Sequence, residues 1–170
     1  HFGKSYCDRR RCTHPHPAAG WGAWLGIAAM RAALAGDDPL EALVEPLDAL
    51  PVEVASRFRE MLLRGWTPDR GGPGNGSVWG CLAQAIWAIR GASSFEDAVV
   101  RAIDLGDDTD TVACVTGAIA GARHGADAIP RRWLRRLHGT VGTSRGPIRY
   151  EAHDLVRISL EISELSLSAH

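Results

Sequence analysis

Leu105–Arg123 reads LGDDTDTVACVTGAIAGAR, an acidic opening that runs without a break into the most apolar helix of the chain. Asp107, Asp108 and Asp110 lie within four residues. Like charges this close repel, so holding them beside a core costs stability unless something positive is supplied. The N–H groups at a helix start supply part of it, and a divalent cation supplies more. Carboxylates with a hydroxyl form a hard, all-oxygen ligand set, suited to Mg²⁺ or Mn²⁺ and not to zinc. Asp108 and Asp110, at i and i+2 with Thr111 next, converge on one ion if the backbone turns into the helix there. An Asp-rich helix cap explains the same residues. The spacing alone leaves both readings open.

Outward from this stretch the chain keeps helical periodicity. Helices are expected over Pro17–Ala35, Pro39–Leu50, Pro51–Leu63, Val78–Arg90 and Phe95–Ile103, the last capped by Ser93 or Ser94, then over Thr111–Arg123 and Asp127–Leu137. Gly36-Asp37-Asp38-Pro39 stops the first of them. Gly139–Pro147 reads as loop, and Tyr150–Leu165 as a last helix despite the strand-like alternation of Val156, Ile158, Leu160 and Ile162. The predicted class is all-α, with residues 1–12 an irregular leader and 13–170 one domain. Of the 170 residues 45% are hydrophobic and 23% charged, which excludes a disordered chain. With 19 basic against 20 acidic residues, the net charge of -1 offers no field for nucleic acid or an anionic membrane. No apolar run approaches a bilayer span, and Cys7, Cys12, Cys81 and Cys114 form no disulfide framework, so a cytoplasmic protein is expected. The chain begins with His1, which reads as a processed chain or a fragment.

Phe95–Leu137 resembles the C-terminal signature of the ADP-ribosylglycohydrolase family. The resemblance rests on Gly106, Asp108-Thr109-Asp110-Thr111, Gly117, Gly121-Ala122, Gly125, Ile129-Pro130 and Trp133, in that order. Thr13-His14 before an Ala-rich helix, and Gly76–Trp87, agree with it. The resemblance implies an orthogonal multi-helix bundle that binds two Mg²⁺ or Mn²⁺ ions at the base of an ADP-ribose cleft. It implies metal ligation by Asp108, Asp110 and Thr111, and hydrolysis of the bond joining ADP-ribose to an acceptor on a protein or small molecule. Asn75, Gly76, Ser77 and Asp107 are then candidate substrate contacts. Asp107 stands where the family usually has a second glycine, and Ser77 where relatives often carry tyrosine. The family's Gly-Asp turn and Thr-Asp-Asp-Thr segment have no counterpart here, because Gly36-Asp37-Asp38 follows the Thr13-His14 helix instead of preceding it. The N-terminal part, with the catalytic acid or base, is therefore expected to be absent, leaving about half of a binuclear site. A non-catalytic ADP-ribose- or protein-binding module is the alternative.

Other residues have plainer readings. Cys7, Cys12, His14 and His16 crowd too closely for a zinc knuckle. The glycine loop Gly71–Gly76 lacks the Lys and Ser/Thr of a phosphate-binding P-loop. Arg131, Arg132, Arg135 and Arg136 form a solvated helix end. Trp21, Trp24, Trp87 and Trp133 are expected in the core, Gly117 and Gly121 at a close helix contact, and neither Cys81 nor Cys114 is a nucleophile.

Overall fold

A computed structural model describes residues 16–62, 65–68 and 74–168. The leader and three of the four zinc-motif residues, Cys7, Cys12 and His14, lie outside them, as do residues 71–73 of the glycine loop. The chain divides between Ala128 and Ile129 into two compact units.

The first unit is helical. Helix α1, Pro17–Ala35, starts with proline at a position whose N–H would be orphaned anyway, and His16 Nδ1 accepts from Ala18 N at 3.2 Å. Gly36, at φ 85°, ends it. The expected helix over Pro39–Leu50 is a 3-10 turn, Glu41–Leu43, and a short helix α2, Val44–Asp48. Pro46 explains the break, since it has no N–H to continue the ladder and its ring crowds the carbonyl four residues back. Then come α3, Val52–Leu62, and α4, Val78–Arg90. Ser94, and not Ser93, caps α5, Phe95–Ile103: its side chain accepts from Asp97 N at 3.1 Å, while Asp97 Oδ2 takes the Ser93 N–H at 2.8 Å. That backbone bond is the main reason the Asp97 carboxyl lies below its usual range. Helix α6, Thr109–His124, begins two residues earlier than the sequence suggests.

Helix α6 packs against α1, α4 and α5, and α4 packs against α1, α3 and α5. Leu25, Phe58, Ile86, Val112 and Ile119 are fully buried among many alanines. Small residues set the spacing: a Cβ added at Gly22 would lie 2.2 Å from Val78 Cγ2, so α1 meets α4 at bare backbone. Trp21 and Trp24 are only half-buried, edge to face at 5.9 Å, and Trp87 and Trp133 are half-buried too. The deeply buried tryptophan is Trp66, at 8% exposure. A large indole rarely disappears completely.

Of the helix expected over Asp127–Leu137 there remain a 3-10 turn, Ala126–Ala128, at the end of the first unit and a one-turn α-helix, α7, Arg131–Leu134, in the second; Pro130 disfavours helical backbone before it and interrupts that span. The region read as loop is a hairpin. Strands β1, His138–Thr143, and β2, Gly146–Glu151, pair antiparallel with Val141 opposite Ile148. Thr143 Oγ1 donates to Gly146 O at 2.6 Å and accepts from Arg145 N at 3.2 Å, closing the Ser144-Arg145 turn. Pro147 is tolerated because both strands of a two-stranded sheet are edges. Helix α8, Ala152–Ser168, follows, and its alternating apolar residues do not make a strand. The class is mostly α, with one small hairpin. Among the described residues no helix is long and apolar enough to cross a membrane.

Candidate functional site

The acidic stretch turns sharply before it becomes α6. Gly106 has φ 76° and Asp107 φ 60°, the left-handed region in which glycine is at ease and aspartate is among the few tolerated alternatives. The position where the resemblance leads one to expect a second glycine thus has the backbone glycine favours. Asp108 follows at φ -77° and ψ 61°, the centre of an inverse γ-turn closed by Thr109 N donating to Asp107 O at 2.8 Å. Asp108 is the N-cap of α6, yet its side chain makes no capping hydrogen bond. Its backbone carbonyl accepts from Val112 N at 3.2 Å. Asp110 and Thr111 then fall in the first helical turn, both exposed, and Asp108 is half-buried. Of the two readings left open, the cap is made by the Asp108 backbone and not by its carboxylate.

Asn75 ties this turn to the start of α4. It is 1% exposed; its Nδ2 donates to Gly106 O at 2.9 Å and Gln84 Oε1 at 3.0 Å, and its Oδ1 accepts from Asp108 N at 3.0 Å. Its side chain therefore faces protein on both sides. The flanking glycines lie under the carboxylates: a Cβ at Gly74 would be 3.4 Å from Asp107 Oδ2, and one at Gly76 would be 3.7 Å from Asp108 Oδ2. Ser77 caps α4, its hydroxyl accepting from Gly80 N at 3.1 Å and donating to Gly74 O at 2.9 Å.

A cleft of about 480 Å³ opens beside these residues, between α1, the start of α4 and α6. Gly22 and Gly26, Asn75–Ser77, and Thr111 with Cys114 are among its walls. The cleft thus brings together Asn75, Gly76, Ser77 and Thr111, while Asp107, Asp108 and Asp110 are not among its lining residues. Cys81 also lines it; burial first, then the negative charge of Asp108 and the neighbouring Cys114, push its thiol up to about 11, so it is protonated at neutral pH. Among the described residues no three His, Cys, Asp or Glu side chains stand close enough together to hold a metal ion. Gln84 was not singled out from the sequence; its signal is being the one polar residue inside the apolar run VWGCLAQAIWAI. His16, the zinc-motif residue within the described chain, packs edge-on against Trp79 at 5.3 Å, and Arg57 stacks on the same indole at 4.1 Å.

A model of the ADP-ribosylglycohydrolase family matches residues 5–165. The chain belongs to the ADP-ribosylglycohydrolase family. This ADP-ribosylglycohydrolase-family chain is 46% identical over 63 residues to the ADP-ribosylarginine hydrolase Tri1 of Serratia proteamaculans, a stretch covering 37% of this chain and 17% of that protein. It is 53% identical over 62 residues to the ADP-ribosylhydrolase ARH3 of Danio rerio, covering 36% of this chain and 14% of the relative. Among solved structures it resembles a chain of an ADP-ribosylglycohydrolase-related protein complex, with TM-score 0.54 and 39% identity, over 71% of this chain and 40% of the other. The matched stretches are less than a fifth of either hydrolase, and the chain spans 40% of the solved relative.

Proposed function

We propose that this chain carries part of the site of a divalent-metal-dependent hydrolase that removes ADP-ribose from an ADP-ribosylated protein or small molecule. The observation that carries this reading is the family match over residues 5–165, supported by hydrolase relatives and by a cleft whose edge holds the acidic turn. Asp108 and Asp110 would hold the ion by their carboxylates and Thr111 by its hydroxyl. The donors fit in kind, since all are hard oxygens on one helix start and the Asp108 carboxylate does not cap its own helix. They do not complete a coordination shell among the described residues. Bound there, Mg²⁺ or Mn²⁺ supplies Lewis-acid polarisation and a template for the ribose and the attacking water. The chain's own contribution is positional. Ser77 and Gly76 shape one wall at the head of α4, and apolar residues of α1 and α6 line the rest of the cleft. Asp107 stands beside Gly74 as a solvent-facing charge at the same edge.

The test is Mg²⁺-dependent release of ADP-ribose from an ADP-ribosylated protein by the full chain. Replacing Asp108 and Asp110 together by alanine is expected to lower turnover by at least about 100-fold, the scale of losing metal-assisted catalysis. Retained turnover in that double variant rejects the site assignment. Calorimetric titration with ADP-ribose separates a binding module, which would bind it equally with and without Mg²⁺ and release nothing.

A further inference from the structure

We infer that Asn75 is a positioning residue: a buried amide clamp that sets the backbone path of Gly106–Asp108, and through it the place of the Asp108 carboxylate. Its functional meaning rests on the reading just proposed; its structural meaning does not. Asn75 and Thr116 are the two polar side chains buried in the core among the described residues, and Thr116 merely bonds back to Val112 O at 2.7 Å within its own helix. Asn75 instead reaches 31 and 33 residues along the chain, to Gly106 O and Asp108 N. Those two bonds straddle Asp107, whose left-handed backbone a non-glycine residue does not adopt by preference. The turn therefore needs an external hold, and the amide supplies a donor and an acceptor together.

The orientation of the amide follows from its partners. Gly106 O and Gln84 Oε1 both require a donor on one side, and Asp108 N–H requires an acceptor on the other, so a flipped amide would set oxygen against oxygen and N–H against N–H. Gln84, on α4, accepts from the Asn75 amide and so anchors the clamp to the helix. The arrangement couples the head of α4 to the start of α6 at the point where the candidate ligands begin. Groups that orient metal-binding side chains in this way typically matter by roughly 10–100-fold in affinity or activity when removed.

The experiment compares Asn75→Ala with Gln84→Ala, each removing one member of the same buried network. Amide hydrogen exchange is followed over residues 106–110 and, as reference, over α5, and Mn²⁺ alone is titrated into each protein. The expected result is exchange at 106–110 more than about 10-fold faster in Asn75→Ala, with α5 unchanged relative to global stability, and with Gln84→Ala sparing the turn. Mn²⁺ affinity should fall by about 10–100-fold in Asn75→Ala and stay near wild type in Gln84→Ala. Equal exchange at 106–110 in the two variants overturns the clamp, as does undiminished Mn²⁺ affinity in Asn75→Ala. Selective release of the turn with no Mn²⁺ uptake by any protein, wild type included, supports the clamp and rejects the divalent-ion reading instead.

Discussion

Asp107 is the residue at which chemistry and backbone geometry disagree most. At φ 60° a non-glycine residue costs about 1–2 kcal/mol, and aspartate lowers that cost by its short polar side chain. Its side chain is exposed, so little packing is lost on removing it. Asp107→Gly is expected to raise stability by about 0.5–1 kcal/mol in urea denaturation, and Asp107→Val to lower it by more than about 1 kcal/mol. A destabilised glycine variant would show that the carboxylate itself holds the turn. Cys81 gives a second test at this scale. Its thiol is held near 11 in the folded protein against an ordinary 9.0. Below the ordinary value both states are protonated and the contribution is complete. As pH rises further the unfolded chain loses its proton first, so stability falls between about 9 and 11. By linkage the loss is about 3 kcal/mol, absent from Cys81→Ala once the two pH profiles are subtracted. Parallel profiles would mean that the thiol ionises freely in the fold. The need for a small, flexible residue at 107 is visible in the sequence only against a family pattern, because φ is not encoded by Asp itself.

The helices were legible wherever local signals agreed. Pro17 at the start and Gly36 at the end bound α1, and Ser94 with Asp97 bounds α5. They failed where a proline fell inside an apolar pattern, at Pro46 and Pro130, since periodicity counts side chains and not backbone donors. The hairpin was missed because Gly139, Gly142, Gly146 and Pro147 signal loop individually, while Val141 and Ile148 gain their meaning only once paired. Contact between elements adds a further demand. Gly22 sits where α1 meets Val78 of α4, with no room for a methyl. Gly22→Ala is therefore expected to cost about 1–3 kcal/mol from overpacking, against an intrinsic helix gain of up to about 1 kcal/mol. Thermal or urea unfolding measures the sum, and net stabilisation would mean that the two helices separate without loss.

The two units of the molecule differ in what they bury. The first holds the core around Leu25, Phe58, Ile86 and Ile119. In the second, no residue from Ile129 to Glu164 is buried, and Leu155, Val156, Leu160 and Ile162 are each between 46% and 61% exposed. Hydrogen-exchange mass spectrometry is expected to show residues 138–164 exchanging well before α4, α5 and α6, since opening there releases little apolar burial. Equal protection across the two units would overturn this. From sequence alone came the all-α class (to which the structure adds one hairpin), the limits of the capped helices and the grouping of acidic residues beside a hydroxyl at a helix start. Those are properties of neighbours along the chain. Only the tertiary structure decided that Asn75 is engaged on both faces by protein, that Gln84 anchors it, that Ser77 caps α4, and that Thr111 lines the cleft while Asp107 and Asp108 lie against Gly74 and Gly76. The physical reason is that a buried polar group must find partners wherever the fold brings them, here 31 and 33 residues away, and no local periodicity encodes that meeting.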